Sequence, residues 1–312
     1  MAQLQLIGVD WGTSSFRAYL IDSEARVFDR RVSPMGILSV ADGRFEAALA
    51  AELTAWRAAH GPLPIVMSGM IGSRQGWREA AYVSCPAGIG DLSANLTTFE
   101  TPSLGRVAIV PGLTVEADGV PDVMRGEETQ IAGALLSSEG GDGHYVLPGT
   151  HSKWVRVDGG RITAFFTYMT GEVYAALKDH TILGRLMSGE SGDDSQAFLA
   201  GVRAGAQPGG PGALLHRLFS ARTLGLFDRL PAGHIAAYLS GLVIGAEFGD
   251  ASAGTSAITI IGSDALARRY EIAASCVGIR TQRAPEDCVA AGHAAIAHAA
   301  GLTTSPFTGV GG

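Results

Sequence analysis

The sequence predicts an α/β protein of two similar lobes facing each other across a cleft, and three observations carry that prediction. An apolar run over residues 4–9 ends on Asp10, turns through Gly12-Thr13-Ser14-Ser15, and continues as an alternating segment over 16–21, the pattern of two strands joined at a tight tip. About half the chain later the same design returns. Strand-like residues 144–147 lead to the tip Gly149-Thr150-His151-Ser152, then to a second strand closed by the turn signal Asp158-Gly159. Around the hairpins, short buried-strand patterns alternate with helical ones.

In chain order, residues 45–58 (FEAALAAELTAWRA) follow the first hairpin with Leu49, Leu53 and Trp56 at helical spacing and charged residues between them. Pro62-Leu63-Pro64 breaks the chain, residues 65–67 form a short buried strand, and 107–110 form another that stops at Pro111-Gly112. Residues 127–136 read as a helix opened by two acids, which the helix dipole favours at an N-terminus. The polar, glycine-rich stretch 137–143 (SSEGGDG) marks the lobe boundary. After the second hairpin, 197–206, 212–219 and 235–248 read as helices, with 207–211 a loop; 257–261 is a strand, backed by a helix over 265–274. An alanine-rich helix covers 286–300. The expected division is therefore an N-terminal lobe over 1–140, a C-terminal lobe over 141–302 and a flexible tail over 303–312.

The 312 residues allow two domains of ordinary size, and 46% hydrophobic content with 17% charge is that of a globular chain. A formal net charge of −7, with no Lys/Arg run, argues against nucleic acid or an acidic membrane as partner. No apolar stretch approaches the ~20 residues that span a bilayer. The N-terminus enters a strand at once and lacks a signal-peptide pattern, so the expected location is the cytoplasm. Cys85, Cys276 and Cys288 have no metal-ligand spacing and suit buried small hydrophobes better than ligands or disulfide partners.

The first tip has the chemistry of a phosphate cradle. Gly12 lets the backbone come close to a ligand, the backbone N–H groups and the Thr13 and Ser14 hydroxyls can donate to phosphate oxygens, and Asp10 can hold a hydrated Mg²⁺. A hairpin turn with ordinary polar residues is the alternative reading. The second tip repeats the Gly-Thr pair at Gly149 and Thr150, so the two hairpins suit the clamping of one nucleotide.

These segments together resemble the sugar kinase, Hsp70 and actin superfamily, and within it the 2-dehydro-3-deoxygalactonokinase family of bacterial sugar-acid kinases. The resemblance spans nearly the whole chain. It rests on Val9-Asp10-Trp11-Gly12-Thr13, on Ser68-Gly69-Met70-Ile71-Gly72-Ser73-Arg74-Gln75-Gly76-Trp77, and on Val123-Met124-Arg125-Gly126-Glu127-Glu128-Thr129-Gln130. It extends through Leu147-Pro148-Gly149-Thr150-His151-Ser152-Lys153-Trp154, Met169-Thr170-Gly171-Glu172, the stretch Leu239-Ser240-Gly241-Leu242-Val243-Ile244-Gly245-Ala246-Glu247, and Ile261-Gly262-Ser263. It implies a ribonuclease H-like ATPase fold of the actin and hexokinase type, with ATP and Mg²⁺ as cofactors. The implied reaction moves the γ-phosphoryl of ATP to the 6-hydroxyl of 2-dehydro-3-deoxy-D-galactonate. An exopolyphosphatase-like hydrolase and a non-catalytic ATP-switched protein of the actin or Hsp70 kind remain the alternatives. The acceptor epimer and the oligomeric state stay open, a homodimer included.

A kinase of this architecture needs a carboxylate to orient the attacking hydroxyl and take up its proton. Elsewhere in the superfamily the second hairpin often begins with Asp; here that place holds Leu147 followed by Pro148. The acid must come from elsewhere, and Glu127 and Glu128 are the candidates beside Asp10, with Glu127 preferred. A pair of acids that merely stabilises a helix N-terminus is the competing reading.

Arg74, beside Ser73 in a glycine-framed loop, and Arg125 are the candidate grips for the acceptor carboxylate. Arg17 either faces solvent or braces the phosphate loop. At the second tip Thr150 suits the γ-phosphate, His151 suits a substrate hydroxyl, and Lys153 either neutralises charge or points outward. Thr170-Gly171-Glu172 either contacts substrate or opens a helix. Gly262 and Ser263 leave a buried strand and enter a helix, the place where open α/β sheets bind ligands, and suit the adenosine.

Overall fold

The structure, a computed structural model, describes residues 3–137, 140–187, 195–210 and 212–303. The expected tail over 303–312 lies outside them except for Thr303, which is buried; so do residues 138–139 of the expected lobe boundary and 211 of the expected loop.

The chain runs β1 (Leu4–Trp11), β2 (Phe16–Asp22), β3 (Val27–Ser33), α1 (Phe45–His60), β4 (Ile65–Ser68), β5 (Tyr82–Ser84), α2 (Ile89–Ala94), β6 (Thr97–Thr101), β7 (Gly105–Ile109), β8 (Gly112–Ala117), β9 (Val120–Met124) and α3 (Glu127–Ala134). It continues through β10 (Gly143–Leu147), β11 (Ser152–Asp158), β12 (Arg161–Tyr168), α4 (Thr170–His180), α5 (Ser195–Gly205), α6 (Ala213–Leu218), α7 (Ser220–Leu226) and α8 (Ile235–Ala251). The last elements are β13 (Ala257–Ile260), α9 (Asp264–Cys276), β14 (Arg280–Arg283) and α10 (Cys288–Ala299). The helices and strands read from the sequence are present; the additional elements include α2, α4, α7 and the strands β3, β5, β6, β8, β9 and β14. Most residues of each of those strands are exposed or half-buried, so they lack the apolar alternation that would announce them.

Two sheets share one order. The six-stranded sheet runs β3-β2-β1-β4-β7-β6 and the five-stranded sheet β12-β11-β10-β13-β14. In the first, β1 pairs antiparallel with β2 and parallel with β4; in the second, β10 pairs parallel with β13. Each sheet thus has its hairpin's first strand at the centre, followed by parallel neighbours, the ribonuclease H-like arrangement that the repeated hairpin suggested. A third, small sheet is ordered β5-β8-β9.

Contacts group the chain into two units. One comprises the chain up to Asp142, Arg156–Phe165 and the chain from Ala284; the other comprises Gly143–Val155 and Phe166–Arg283. This differs from the expected cut into 1–140 and 141–302, because the last helix returns to the first unit. The reason is its packing against α3. A Cβ on Gly133 would overlap the Cys288 carbonyl, and one on Gly292 would overlap the Thr129 carbonyl, so the two helices touch backbone to backbone. His293 from α10 is fully buried, its Nε2 is 2.9 Å from Ser68 Oγ at the end of β4, and its imidazole occupies the space a side chain at Gly8 would need. Burial holds that imidazole neutral, with its pKa lowered to about 3.

In the first unit, Phe45, Leu49, Leu53 and Trp56 of α1 join Ile7, Val9, Met67 and Ile109 of the sheet in one core. In the second, α5, α8 and α9 join Val146, Trp154, Ile258 and Ile260. There α5 and α8 also meet through glycines: Gly201 and Gly205 on one helix, Gly241 and Gly245 on the other, all abutting backbone of the partner helix. No helix among the described residues is long and apolar enough to cross a membrane.

In an exposed helix Gly→Ala would stabilise by roughly 0.5–1 kcal/mol. Gly133→Ala should do the opposite and destabilise the protein by about 2 kcal/mol or more, in the upper part of the overpacking range, because neither backbone can move aside. Urea unfolding of the variant checks this, and a gain in stability would show that α3 and α10 are not in backbone contact.

Candidate active site

Asp10 is the penultimate residue of β1 and lies opposite Arg17 in the hairpin register and Ser68 in the parallel one. Its side chain is 13% exposed, and the Arg17 Nη1 is 3.4 Å from Oδ2 while the Arg17 side chain remains about half exposed. Both sequence alternatives for Arg17 are therefore partly realised. Burial pushes the Asp10 carboxyl up to about 6; Arg17 opposes the shift and the nearby Glu127 charge adds to it.

The tip beyond it is held from behind. The Gly12 N–H donates to the Ser15 carbonyl, while the Gly12 and Thr13 carbonyls accept from the Ile37 and Leu38 N–H groups. Gly36 allows that approach, since a Cβ there would overlap Thr13 and Ser14. With the carbonyls tied back, Thr13 and Ser14 stand exposed. Trp11 anchors the hairpin: its indole donates to the Met35 carbonyl (2.9 Å) and its ring meets Phe16 edge-on at 5.1 Å.

Two more turns close on Asp10. Gly69, at φ 91°, lies where a Cβ would come 2.8 Å from the Trp11 carbonyl oxygen and 3.3 Å from Asp10 Oδ1. Gly126, at φ 107°, stacks on Gly69. Both conformations favour glycine, and together they bring the start of α3 to the end of β1. A glycine directly after a buried strand was the signal available in the sequence for Gly69.

The acid pair separates sharply. Glu127 is half-buried, accepts the Arg125 N–H (3.0 Å) and acts electrostatically on Asp10. Glu128 is fully buried, with Oε2 accepting the Gly126 N–H at 2.6 Å and Oε1 accepting the Thr129 hydroxyl at 2.9 Å. Burial, and then the Glu127 charge, push the Glu128 carboxyl up to about 8.

Arg74 and Arg125 line one pocket of about 510 Å³ with Met70, Ser73, Gln75, Glu79, Tyr82 and Val123. Their states differ. The Arg74 side chain is 87% exposed and paired with Glu79 at 2.9 Å. Arg125 is 9% exposed, gives Nη2 to the Ala80 carbonyl (2.7 Å) and stacks over the Tyr82 ring at 4.3 Å. Its Nε and Nη1 have no acceptor, and it makes no ion pair among the described residues. Gly72 leaves the room its guanidinium fills. Ser73 turns its hydroxyl back to the Met70 carbonyl (2.7 Å).

In the second unit the tip Gly149-Thr150-His151 is partly or fully exposed. His151 Nε2 is 2.6 Å from Glu172 Oε2, near the start of α4, so Thr170-Gly171-Glu172 does open a helix. Lys153 does not point outward: it is 6% exposed and its Nζ donates to the Thr167 hydroxyl at 2.7 Å. Gly262 lies beside the Pro148 ring, and Ser263 begins α9 with its carbonyl accepting the Ala267 N–H while its exposed hydroxyl makes no cap.

Three or more His, Cys, Asp or Glu side chains do not gather around a cation position anywhere among the described residues. A Mg²⁺ that arrives on phosphates keeps several waters and needs only one or two protein carboxylates. Asp10, with Glu127 in electrostatic reach, fits that requirement.

The Glu128 shift has a consequence for stability. Unfolded, the residue ionises near its ordinary 4.5; folded, it holds its proton to about 8, so the native state loses stability as pH rises across that window. Glu128→Gln preserves both contacts once the Thr129 hydroxyl turns to accept. Its urea midpoint should gain on that of the unmodified protein steadily from pH 5 to pH 8. A constant offset would show that Glu128 ionises normally.

Comparison with known proteins places the chain in a family. The family described as 2-keto-3-deoxy-galactonokinase matches residues 10–296. The chain is 37% identical over 298 residues to the 2-dehydro-3-deoxygalactonokinase of Escherichia coli K12, covering 94% of this chain and 97% of that protein. It is also 37% identical over 302 residues to a protein of Rhizobium meliloti named probable 2-dehydro-3-deoxygalactonokinase, covering 93% and 96%. A crystal structure of a Sinorhizobium meliloti protein of similar designation superposes with a TM-score of 0.85 at 36% identity, over 94% of this chain and 98% of that one. Xylulose kinase from Lactobacillus acidophilus, 10% identical, shares the fold at a TM-score of 0.52 over 96% and 90% of the chains. The hydrolase and ATP-switch alternatives find no support among these relatives, and the chain belongs to the 2-keto-3-deoxy-galactonokinase family of ATP-dependent sugar kinases.

Proposed function

We propose that the protein transfers the γ-phosphoryl group of ATP to the 6-hydroxyl of 2-dehydro-3-deoxy-D-galactonate in the cytoplasm. The observation that carries this reading, within a chain of that family, is the meeting of Asp10 and Glu127 beside the exposed Gly12-Thr13-Ser14 tip. Glu127 is the base: it is half-buried, keeps a free path to solvent, and neighbours the pocket that Arg125 lines. Glu128 is sealed from solvent and holds the Gly126 turn, so its task is to set the direction of Glu127.

Asp10 would hold Mg²⁺ through water, and that ion would supply charge neutralisation at the phosphates. Gly12, Thr13 and Ser14 in the first unit, and Gly149 and Thr150 in the second, donate to phosphate oxygens. Gly262 and Ser263 take the adenosine. Ser73, Arg74 and Arg125 receive the acceptor, with His151 and Lys153 as further substrate contacts. The acceptor carboxylate goes to the pocket because Arg125 brings there a buried guanidinium that makes no ion pair among the described residues and has two N–H-bearing nitrogens without an acceptor. Arg74, exposed and already paired, has less to give.

A general base contributes roughly 10²–10⁴-fold to rate. Glu127→Gln should lower kcat by about that factor with the acceptor KM little changed, Asp10→Asn should also be severely impaired, and Glu128→Gln should stay active. Steady-state kinetics with a coupled ADP assay decide it; a dead Glu128→Gln beside an active Glu127→Gln would reverse the assignment.

The same assay across deoxy sugar acids should give its highest kcat/KM with 2-dehydro-3-deoxy-D-galactonate, and faster turnover of the gluconate epimer, of water or of polyphosphate would overturn the substrate. Loss of a charge-assisted hydrogen bond costs about 1.5–3 kcal/mol, or roughly ten- to a hundred-fold in affinity. Arg125→Ala should raise the acceptor KM by that much and leave the ATP KM unchanged, whereas Arg74→Ala should have a smaller effect. An Arg125 variant that loses ATP affinity instead would move the acceptor site elsewhere.

A further inference from the structure

Among the described residues, Glu247 on α8 is a further deeply buried carboxylate with a full set of partners, 3% exposed. Its Oε1 accepts from Ser152 Oγ (2.7 Å) and from the Trp154 indole (2.7 Å); its Oε2 accepts from Thr170 Oγ1 (2.5 Å) and from the Tyr270 hydroxyl (2.8 Å). All four donors are neutral side chains, and burial pushes the carboxyl above its ordinary range in spite of them. An apolar residue would fill this core at lower cost, which makes the geometry of the hub the point of interest.

The donors come from three elements. Ser152 and Trp154 belong to β11, starting two residues after Thr150. Thr170 is the first residue of α4, and Tyr270 lies on α9, the helix that begins at the Gly262-Ser263 turn. The start of α4 is docked on the tip. A Cβ on Gly171 would overlap the Gly149 carbonyl, the Glu172 N–H donates to the Thr150 carbonyl at 3.0 Å, and Glu172 meets His151. Gly262 in turn lies against Pro148, the residue before the tip.

We propose that Glu247 is the positioning residue of the nucleotide-binding elements of the second unit: by joining β11, α4 and α9 through one carboxylate it fixes the Gly149-Thr150 tip relative to the Gly262-Ser263 turn. The inference rests on the nucleotide roles proposed above for those four residues. Glu247 touches no substrate in this scheme and acts through Ser152, Thr170 and Tyr270.

Three variants of the full-length protein test it, with ADP affinity measured by calorimetry and the KM of each substrate measured separately. Glu247→Gln retains an acceptor for the indole, a donor-only group, while its amide N–H groups can donate to the Thr170 and Tyr270 oxygens once those hydroxyls turn; it should bind ADP within threefold of the unmodified protein. Glu247→Leu should weaken ADP at least tenfold. Thr170→Val, an isosteric loss of one anchor, should weaken it three- to tenfold and decides the matter if the leucine variant fails to fold. In every folded variant the sugar-acid KM should rise by clearly less than the ADP affinity falls, because His151 and Lys153 are the acceptor contacts carried on these elements while Ser73, Arg74 and Arg125 are not. Unchanged ADP affinity in Thr170→Val and in folded Glu247→Leu, or an equal rise in both KM values, overturns the proposal. An unmodified protein that binds no ADP overturns the nucleotide reading itself, and a weakened Glu247→Gln would show that the charge acts directly rather than through position.

Discussion

The close approach of three backbone segments, at Asp10–Trp11, Gly69 and Gly126, sets the positions of Asp10 and of the acid pair at the start of α3. Side chains are absent from the two glycines because no space exists for them: one Cβ would meet the Trp11 carbonyl and the other the Gly69 Cα. Positive φ at both positions lets each chain turn at once, so β4 and α3 begin their next segments against β1 rather than beyond it. The result is a carboxylate from a hairpin and another from a helix N-terminus sharing one poorly hydrated spot. Asp10 would not be perturbed alone at a solvated turn.

That geometry also explains how two adjacent glutamates acquire different work. Successive positions in the first turn of a helix point about 100° apart, so one can face the hairpin while the other faces the interior. Glu128 meets the interior and is saturated by Gly126 and Thr129. Glu127 meets the hairpin and leaves an edge toward solvent. Environments that push neighbouring carboxyls apart in acidity are how one protein keeps an ionised group and a protonated one at the same pH. In the second unit Glu247 is likewise pushed up by burial, and hydroxyl and indole donors oppose that shift without a cation.

Much of the fold was legible because its signals are local. The hairpin at 4–21 is marked by apolar alternation and a small-residue tip, α1 by Leu49, Leu53 and Trp56, and the shared sheet order by the recurrence of Gly-Thr at 149–150. The site was legible in kind, since Asp10, Glu127 and Arg125 stand out as charges among glycines. Which glutamate is sealed, and which arginine is already paired, was not. Glu79 lies five residues from Arg74 in an unremarkable loop, and Tyr82 acts on Arg125 from a strand too short to announce itself. The return of α10 was equally hidden: an alanine-rich helix carries no mark of its destination, and only the matching glycines at 133 and 292 determine that it fits α3.

That return bears on how the molecule is made. A ribosome releases the residues of β1, β4 and α3 first and α10 only after the whole of the second unit, so the first unit waits through well over a hundred residues of synthesis with one helical neighbour missing. During that interval the glycine-lined flank of α3 and the face of β1 at Gly8 have nothing to rest on, and the second unit, whose segment from Phe166 to Arg283 is continuous, can finish first. Vectorial synthesis therefore inverts the order the numbering suggests: β1, made before the second unit, gains its last packing partner only after that unit has been made.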